Sequence, residues 1–318
     1  RRRIHLFPIL MLRKFLIQCV VLALPIVGGI LLYSWWNKAY FPAPRLTPNI
    51  AVNEKVDRIV RLQRQGADVL SLGSSMTLNN LASGPVLAHF KGMRYVNAGA
   101  WGMGAGELIQ FGPMLVERLK PRIVLVAMSP LDMIKGSRLS PRDSAAIVRH
   151  MDSTHPAMGY LWHREAAYYL RQMELNKIRF DDPGNYEYLG YDASGAALLS
   201  VSPERREPGR YAELPPTYDK LKQERYEAFA RFAAYLAERE IRMIVLSSPF
   251  REGLTNEAVD TLFAKHHARL HGILDPLGHT LLDAGDQSWP DALYADASHF
   301  NADGAERFTA HCLAKLRD

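Results

Sequence analysis

The sequence predicts an α/β fold: a central parallel sheet with helices on both faces, preceded by one N-terminal transmembrane helix. Three observations predict it. Five short apolar runs lack the in-and-out alternation of a one-sided sheet, as strands buried on both faces do. Amphipathic stretches of helical spacing separate most of them, which is the order of a layered α/β domain. One uncharged run near the N-terminus is long enough to cross a bilayer.

That run is Phe15 to Trp36, FLIQCVVLALPIVGGILLYSWW. As a helix it measures about 33 Å, more than the hydrocarbon core of a membrane. Arg13 and Lys14 precede it; Trp35, Trp36 and Tyr40 mark its far end. Basic residues stay on the cytoplasmic side and aromatic rings favour the interface, so the expected orientation is N-terminus in and the remainder outside. A cleavable signal peptide has a shorter apolar core and a small-residue cleavage site, whereas this run ends in bulky rings. The expected organisation is a cytoplasmic or interfacial N-terminus at 1–14, an anchor at 15–36, a tether at 37–53 and an extracytoplasmic domain at 54–318. Met11 is a candidate initiator within the first segment. The tether holds three prolines between Phe41 and Asn53, which keep it extended and stiff.

In the outer domain, strand-type runs fall at Ala67–Leu72, Arg94–Asn97, Arg122–Met128, Arg242–Ser247 and Thr280–Asp283. Helical patterns cover Glu54–Gln65, Gly106–Leu119, Tyr218–Arg239, Asn256–His271 and Asp303–Leu316. The alternation lapses over about 132–217, which reads as an insertion with helical pieces followed by a stretch rich in Gly, Pro and charge. Long insertions in compact domains form lids and binding loops.

The net charge is +6, but Arg1, Arg2, Arg3, Arg13 and Lys14 supply most of it, leaving about +1 for the rest. No basic stripe with interleaved aromatics remains, which argues against nucleic-acid binding. The two cysteines, Cys19 and Cys312, sit at opposite ends and imply no disulfide framework. No metal is expected: there is no CxxC or His-rich cluster, and His266-His267 reads as a pair on a surface helix. Gly102-Met-Gly-Ala-Gly106 follows a strand, yet Glu107 stands where a dinucleotide loop needs its third glycine, so no cofactor is expected.

Two short motifs carry chemistry. The first strand runs into Gly73-Ser74-Ser75-Met76, a small turn that suits a serine nucleophile at the carboxyl edge of a sheet. The same turn serves equally as a plain helix N-cap. Asp296-Ala-Ser-His299 lies before the last helical pattern, a spacing that lets a carboxylate orient an imidazole base. A polar loop capped by Asn301 or Asp303 is the structural alternative.

Taken together, a serine turn after the first strand and a late DxxH resemble the SGNH/GDSL hydrolase superfamily. The resemblance implies a flavodoxin-like three-layer sandwich, with Ser75, Asp296 and His299 as the catalytic triad. It implies an oxyanion hole formed by the backbone N–H groups of Ser75 and Gly99, the latter in Tyr95-Val-Asn-Ala-Gly99. The usual Gly-x-Asn-Asp after the third strand is replaced by Met128-Ser-Pro-Leu-Asp132, which leaves the third oxyanion donor unassigned. The Gly-Ser-Ser turn, the Ser-Pro and the anchor are similar to the DltD family. That likeness implies O-acylation of a cell-envelope glycan such as teichoic acid or an exopolysaccharide through an acyl-serine. It also implies a polytopic membrane-bound O-acyltransferase as partner, in the inner membrane and facing the periplasm. A carbohydrate or lipid esterase and a non-catalytic adaptor remain the alternatives.

Overall fold

The computed structural model describes residues 6–134, 139–153, 157–163 and 165–316. The rest, including three short stretches of the expected insertion, lie outside the described residues. Two compact units divide the chain: residues up to Pro42 with Glu165–Lys177, and Ala43 onward without that segment.

The first unit is built on α1, Leu6–Trp36. It starts earlier than expected, because the apolar pattern before Phe15 continues the helix through Arg13 and Lys14 and past Pro8. Its stretch Met11–Trp36 is long and apolar enough to span a membrane. After it the chain turns a corner: the Asn37 side chain donates to Tyr33 O (2.9 Å), and Tyr40 N–H donates to Asn37 O. Residues 165–177 pack against this corner. Tyr169 stacks on Phe41 with ring centroids 5.6 Å apart, Asn176 Nδ2 donates to Tyr40 O (3.1 Å), and Lys177 lies over the Tyr33 ring.

The second unit has helices α2 (Ile50–Leu62), α3 (Ser75–Asn80), α4 (Ser83–His89), α5 (Ala105–Leu119), α6 (Pro141–Asp152) and α7 (Met158–Trp162). It continues with the end of α8 (Ala166–Asp181), α9 (Pro208–Tyr211), α10 (Gln223–Ala237), α11 (Glu257–Leu274) and α12 (Ala302–Ala314). Strands β1 (Val69–Ser71), β2 (Tyr95–Asn97), β3 (Ile123–Met128), β4 (Arg242–Ser247) and β5 (Thr280–Asp283) form one parallel sheet in the order 2-1-3-4-5. This is the flavodoxin-like order, whose crevice opens at the carboxyl ends of the strands.

Both faces of the sheet are apolar, and successive residues point to opposite layers. Val69, Leu125, Ala127, Ile244 and Leu246 pack with Leu81 and Val86 near α4 and with Phe308 and Cys312 of α12. On the other face α5 and α10 pack closely, at a contact where a Cβ on Gly112 would come 2.4 Å from the Phe232 ring. Gly106 leaves room for the buried ion pair of Arg225 with Glu107, 2.6 Å apart. Gly106, the last of the glycine run after β2, therefore serves packing.

The turn after β1 opens directly into α3, with Ser74 as its N-cap, and α4 follows; neither helix has an apolar period long enough to be read from the sequence. One sequence expectation differs from the structure. His266 is not on a surface. It is fully buried, with Tyr226 Oη 2.7 Å from its Nδ1, and burial pushes its pKa down to about 3. Within the insertion, the stretch around Tyr191 and Gly195 packs on α2. Lys55 of α2 is completely buried, donates to Asn97 O (2.9 Å) and to Gly195 O, and lies 4.2 Å from the Tyr191 ring centre. Burial, with Arg58 beside it, holds this amine well below its ordinary pKa.

Gly112→Leu tests the α5–α10 contact. Overpacking costs about 1–3 kcal/mol, so the variant's urea midpoint, measured on full-length protein in detergent, should fall with an unchanged slope.

Candidate active site

The turn after β1 is built on one glycine. Gly73 has φ +147°, and a Cβ there would lie 2.3 Å from Thr77 Oγ1. That hydroxyl accepts from Ala127 N–H (3.1 Å) and is shared between the carbonyls of Leu72 and Ala127 (3.1 and 2.9 Å). It pins the start of α3 to β1 and β3. Ser74 caps α3, its Oγ accepting from Met76 N–H at 3.1 Å. Ser75 is the first helical residue, so its backbone N–H has no intrahelical acceptor.

Asp296 and His299 sit on a tight turn closed by Ala295 N–H to His299 O (2.8 Å) and by the bridge between Tyr294 and Phe300. Asp296 Oδ1 accepts the backbone N–H groups of Ser298 (2.9 Å) and His299 (2.8 Å). Oδ2 lies 2.8 Å from His299 Nδ1, and His299 Nε2 lies 2.8 Å from Ser75 Oγ. A carboxylate only accepts, so it assigns the Nδ1 proton to His299 and leaves Nε2 to accept the Ser75 hydroxyl. The structure thus brings Ser75, His299 and Asp296 into one hydrogen-bonded series.

Electrostatics agree with that polarity. Burial works to raise the Asp296 carboxyl, but the charge of His299 and the turn's N–H groups outweigh it and hold the pKa below the ordinary value. Burial works to lower His299; Asp296, joined by Asp132, overcomes it and raises the imidazole. Asp132 is buried on the turn after β3, accepts Ser129 N–H (2.9 Å) and bonds the Ser74 side chain; desolvation pushes it up to about 6.

Two residues missed at the sequence level join these parts. One is Asp132, whose charge faces His299. The other is Asn80, fully buried at the end of α3. Its Nδ2 donates to Ser298 O (3.1 Å) and Ser248 Oγ (2.8 Å), and its Oδ1 accepts Phe300 N–H (3.0 Å). It therefore grips the chain on both sides of His299. The signal was present in Leu78-Asn79-Asn80-Leu81, two poor helix formers in an otherwise apolar stretch.

Gly99 is placed differently from expectation. Its N–H donates to Asn97 Oδ1 at 2.9 Å, which commits that donor to the end of β2. Gly99 is instead required for close packing: a Cβ would come 2.7 Å from Leu78 N of α3.

A cavity of ≈ 270 Å³ opens over Ser75 and His299. Asn79 and Trp101 form part of its wall, and the insertion supplies Tyr186, Glu187, Leu199 and Arg210. The insertion is fastened to the site by Tyr186 Oη–H to Ala295 O (2.9 Å), Ala297 N–H to Arg210 O (3.2 Å), Ala302 N–H to Leu199 O (2.7 Å) and Asn79 Nδ2 to Ala197 O (2.6 Å). Among the described residues no group of His, Cys, Asp and Glu is arranged to hold a metal ion.

No protein-family profile and no curated protein sequence matches the chain. Among solved structures it is similar to a catalytic mutant of Axe2, an acetylxylan esterase from Geobacillus stearothermophilus, with a TM-score of 0.43 and 13% identity over 78% of this chain and 93% of that one. It is also similar to LAE5, an alpha/beta hydrolase enzyme from the metagenome of Lake Arreo, Spain, with a TM-score of 0.41 and 16% identity over 78% and 94% of the two chains.

The charge of Asp132 gives a direct test. Asp132→Asn removes an anion facing His299, so the His299 titration followed by imidazole NMR should move to lower pH. In the wild type the midpoint should lie above about 6.5, the ordinary imidazole value. An unmoved midpoint in the variant would show that the two groups do not interact.

Proposed function

We propose that this chain is a membrane-anchored serine O-acyltransferase of the SGNH type that acylates a cell-envelope glycan through acyl-Ser75. The observation that carries the reading is the 2.8 Å and 2.8 Å series of Ser75, His299 and Asp296 beneath an open cavity.

The chemistry runs in two halves. His299 Nε2 takes the Ser75 proton as Oγ bonds to the acyl carbon of the donor. The carbonyl pair moves to oxygen, then returns as the bond to the leaving oxygen breaks, and His299 gives that oxygen its proton. In the second half His299 deprotonates an acceptor hydroxyl. That oxygen bonds to the acyl carbon, the Ser75 ester bond breaks, and Ser75 recovers a proton from His299. Asp296 holds the tautomer and supports the imidazolium, and the anionic form of Asp132 adds to that support. The backbone N–H of Ser75 faces the developing oxyanion.

Trp101 and Tyr186 offer ring surfaces to a sugar acceptor, and Arg210 offers a polar group to its hydroxyls. On this reading α1 anchors the chain in a membrane, being long and apolar enough to span one, and a polytopic O-acyltransferase supplies the acyl groups. Water can replace the glycan in the second half. The cavity's open mouth favours a carbohydrate esterase as the second reading.

Ser75→Ala should abolish covalent labelling by a fluorophosphonate and all acyl transfer, with the urea midpoint unchanged. Incubating full-length protein with an acetyl ester and a sugar oligomer separates the readings: acetylated oligomer marks a transferase, free acetate alone an esterase. Activity retained by Ser75→Ala would sink both.

A further inference from the structure

The tetrahedral intermediate needs more than one hydrogen-bond donor, because an oxyanion in a partly dry cavity is poorly solvated. The backbone N–H of Ser75 is one. The N–H of Gly99 is committed to Asn97 Oδ1. The turn after β3 carries Leu131 and Asp132, neither of which has a side-chain N–H. The second donor has to come from elsewhere in the cavity.

Besides His299, whose Nδ1–H is held by Asp296, three side chains with N–H groups line that cavity: Asn79, Trp101 and Arg210. Arg210 belongs to the insertion; its Nε–H is held by Glu207 (2.7 Å) and its guanidinium lies 4.7 Å from the Tyr186 ring centre. Trp101 lies beyond the end of β2, where its carbonyl accepts from Asn49 Nδ2 (2.6 Å). Asn79 alone shares a helix with the nucleophile. It stands four residues after Ser75 on α3, on the same helical face. Helical side chains lean toward the N-terminus, so its amide reaches back over the turn that carries Ser75.

The amide is also pre-organised. Asn79 is 2% exposed, and one of its N–H groups donates to Ala197 O at 2.6 Å, which fixes the direction of the NH₂. The second N–H has no acceptor among the described residues. Asn79 thus presents a fixed and unused donor in the wall around Ser75.

We infer that Asn79 donates its second side-chain N–H to the oxyanion formed at Ser75, an inference that rests on the acyl-serine reading above. As Ser75 Oγ bonds to the acyl carbon and its proton moves to His299 Nε2, the carbonyl π pair becomes a lone pair on oxygen. The amide N–H binds that oxygen and releases it when the pair returns and the leaving group departs. The Ala197 bond keeps the amide aimed throughout, so the insertion helps to set the donor's position as well as the cavity wall.

The test uses full-length protein in detergent, with hydrolysis of p-nitrophenyl acetate and the rate of fluorophosphonate labelling as readouts. Asn79→Ala and Asn79→Asp remove the donor; kcat should fall by about 10²–10³-fold, with KM changed by less than about threefold and the labelling rate falling in parallel. Asn79→Gln keeps an N–H on a longer arm and should recover part of kcat. A merely structural role, through the bond to Ala197, would instead lower the urea midpoint and raise KM while sparing kcat, and that outcome overturns the assignment. A kcat near wild type in Asn79→Asp, with the large loss found in Trp101→Phe, moves the role to the indole and overturns it too. Failure of the wild type to be labelled at Ser75 overturns the acyl-serine reading itself, and this inference with it.

Discussion

The Asn80 side-chain amide joins the two halves of the candidate chemistry. Ser75 stands at the start of α3, and His299 lies far along the chain on a turn before α12. Asn80 donates to Ser298 O and accepts from Phe300 N–H, so it holds both flanks of His299 from the far end of the helix that begins with Ser75. A hydrogen bond between two mobile side chains would be weak and variable. Here the backbone on each side is fixed first, and the 2.8 Å contact between His299 and Ser75 follows from it. Burial strengthens the arrangement: each of these polar groups is costly to leave unpaired.

The same logic extends outward. Thr77 ties α3 to β1 and β3, and Gly73 leaves the space that lets it do so. Asp296 accepts three N–H groups, which suits a carboxylate that has to stay charged while largely removed from water. Asp132 is the contrasting acid. Desolvation pushes its pKa up to about 6, so it loses its charge at a higher pH than Asp296 does. The site thus combines one acid fixed in its ionised form with one that responds to pH.

Much of this was legible in the sequence, and for identifiable reasons. Strands β4 and β5 begin and end where their apolar runs do, and the other three are trimmed by one to three residues in all but their cores. Continuous branched apolar runs have few alternatives to a buried parallel strand. The spacing of Asp296 and His299 could be read because both lie on one turn. What stayed hidden depends on long-range contacts. Helix α3 is six residues long and owes its place to Thr77, Asn79 and Asn80, whose partners lie on other elements. The Gly99 N–H is taken up by the side chain of Asn97, two residues earlier, a bond that depends on the side-chain conformation at the end of β2. His266 looked exposed beside His267 because its partner, Tyr226, comes from a helix forty residues distant.

Ser75, His299 and Asp296 come from the sheet framework, whereas Tyr186, Glu187, Leu199 and Arg210 come from the insertion. The cavity is therefore walled by two separate stretches of chain. Changes between about Tyr186 and Arg210 reshape the cavity wall without replacing Ser75, His299 or Asp296, except at Ala197, whose carbonyl also holds the Asn79 amide. Chains that share the framework but differ there need not share a substrate, and the insertion is the place to compare them.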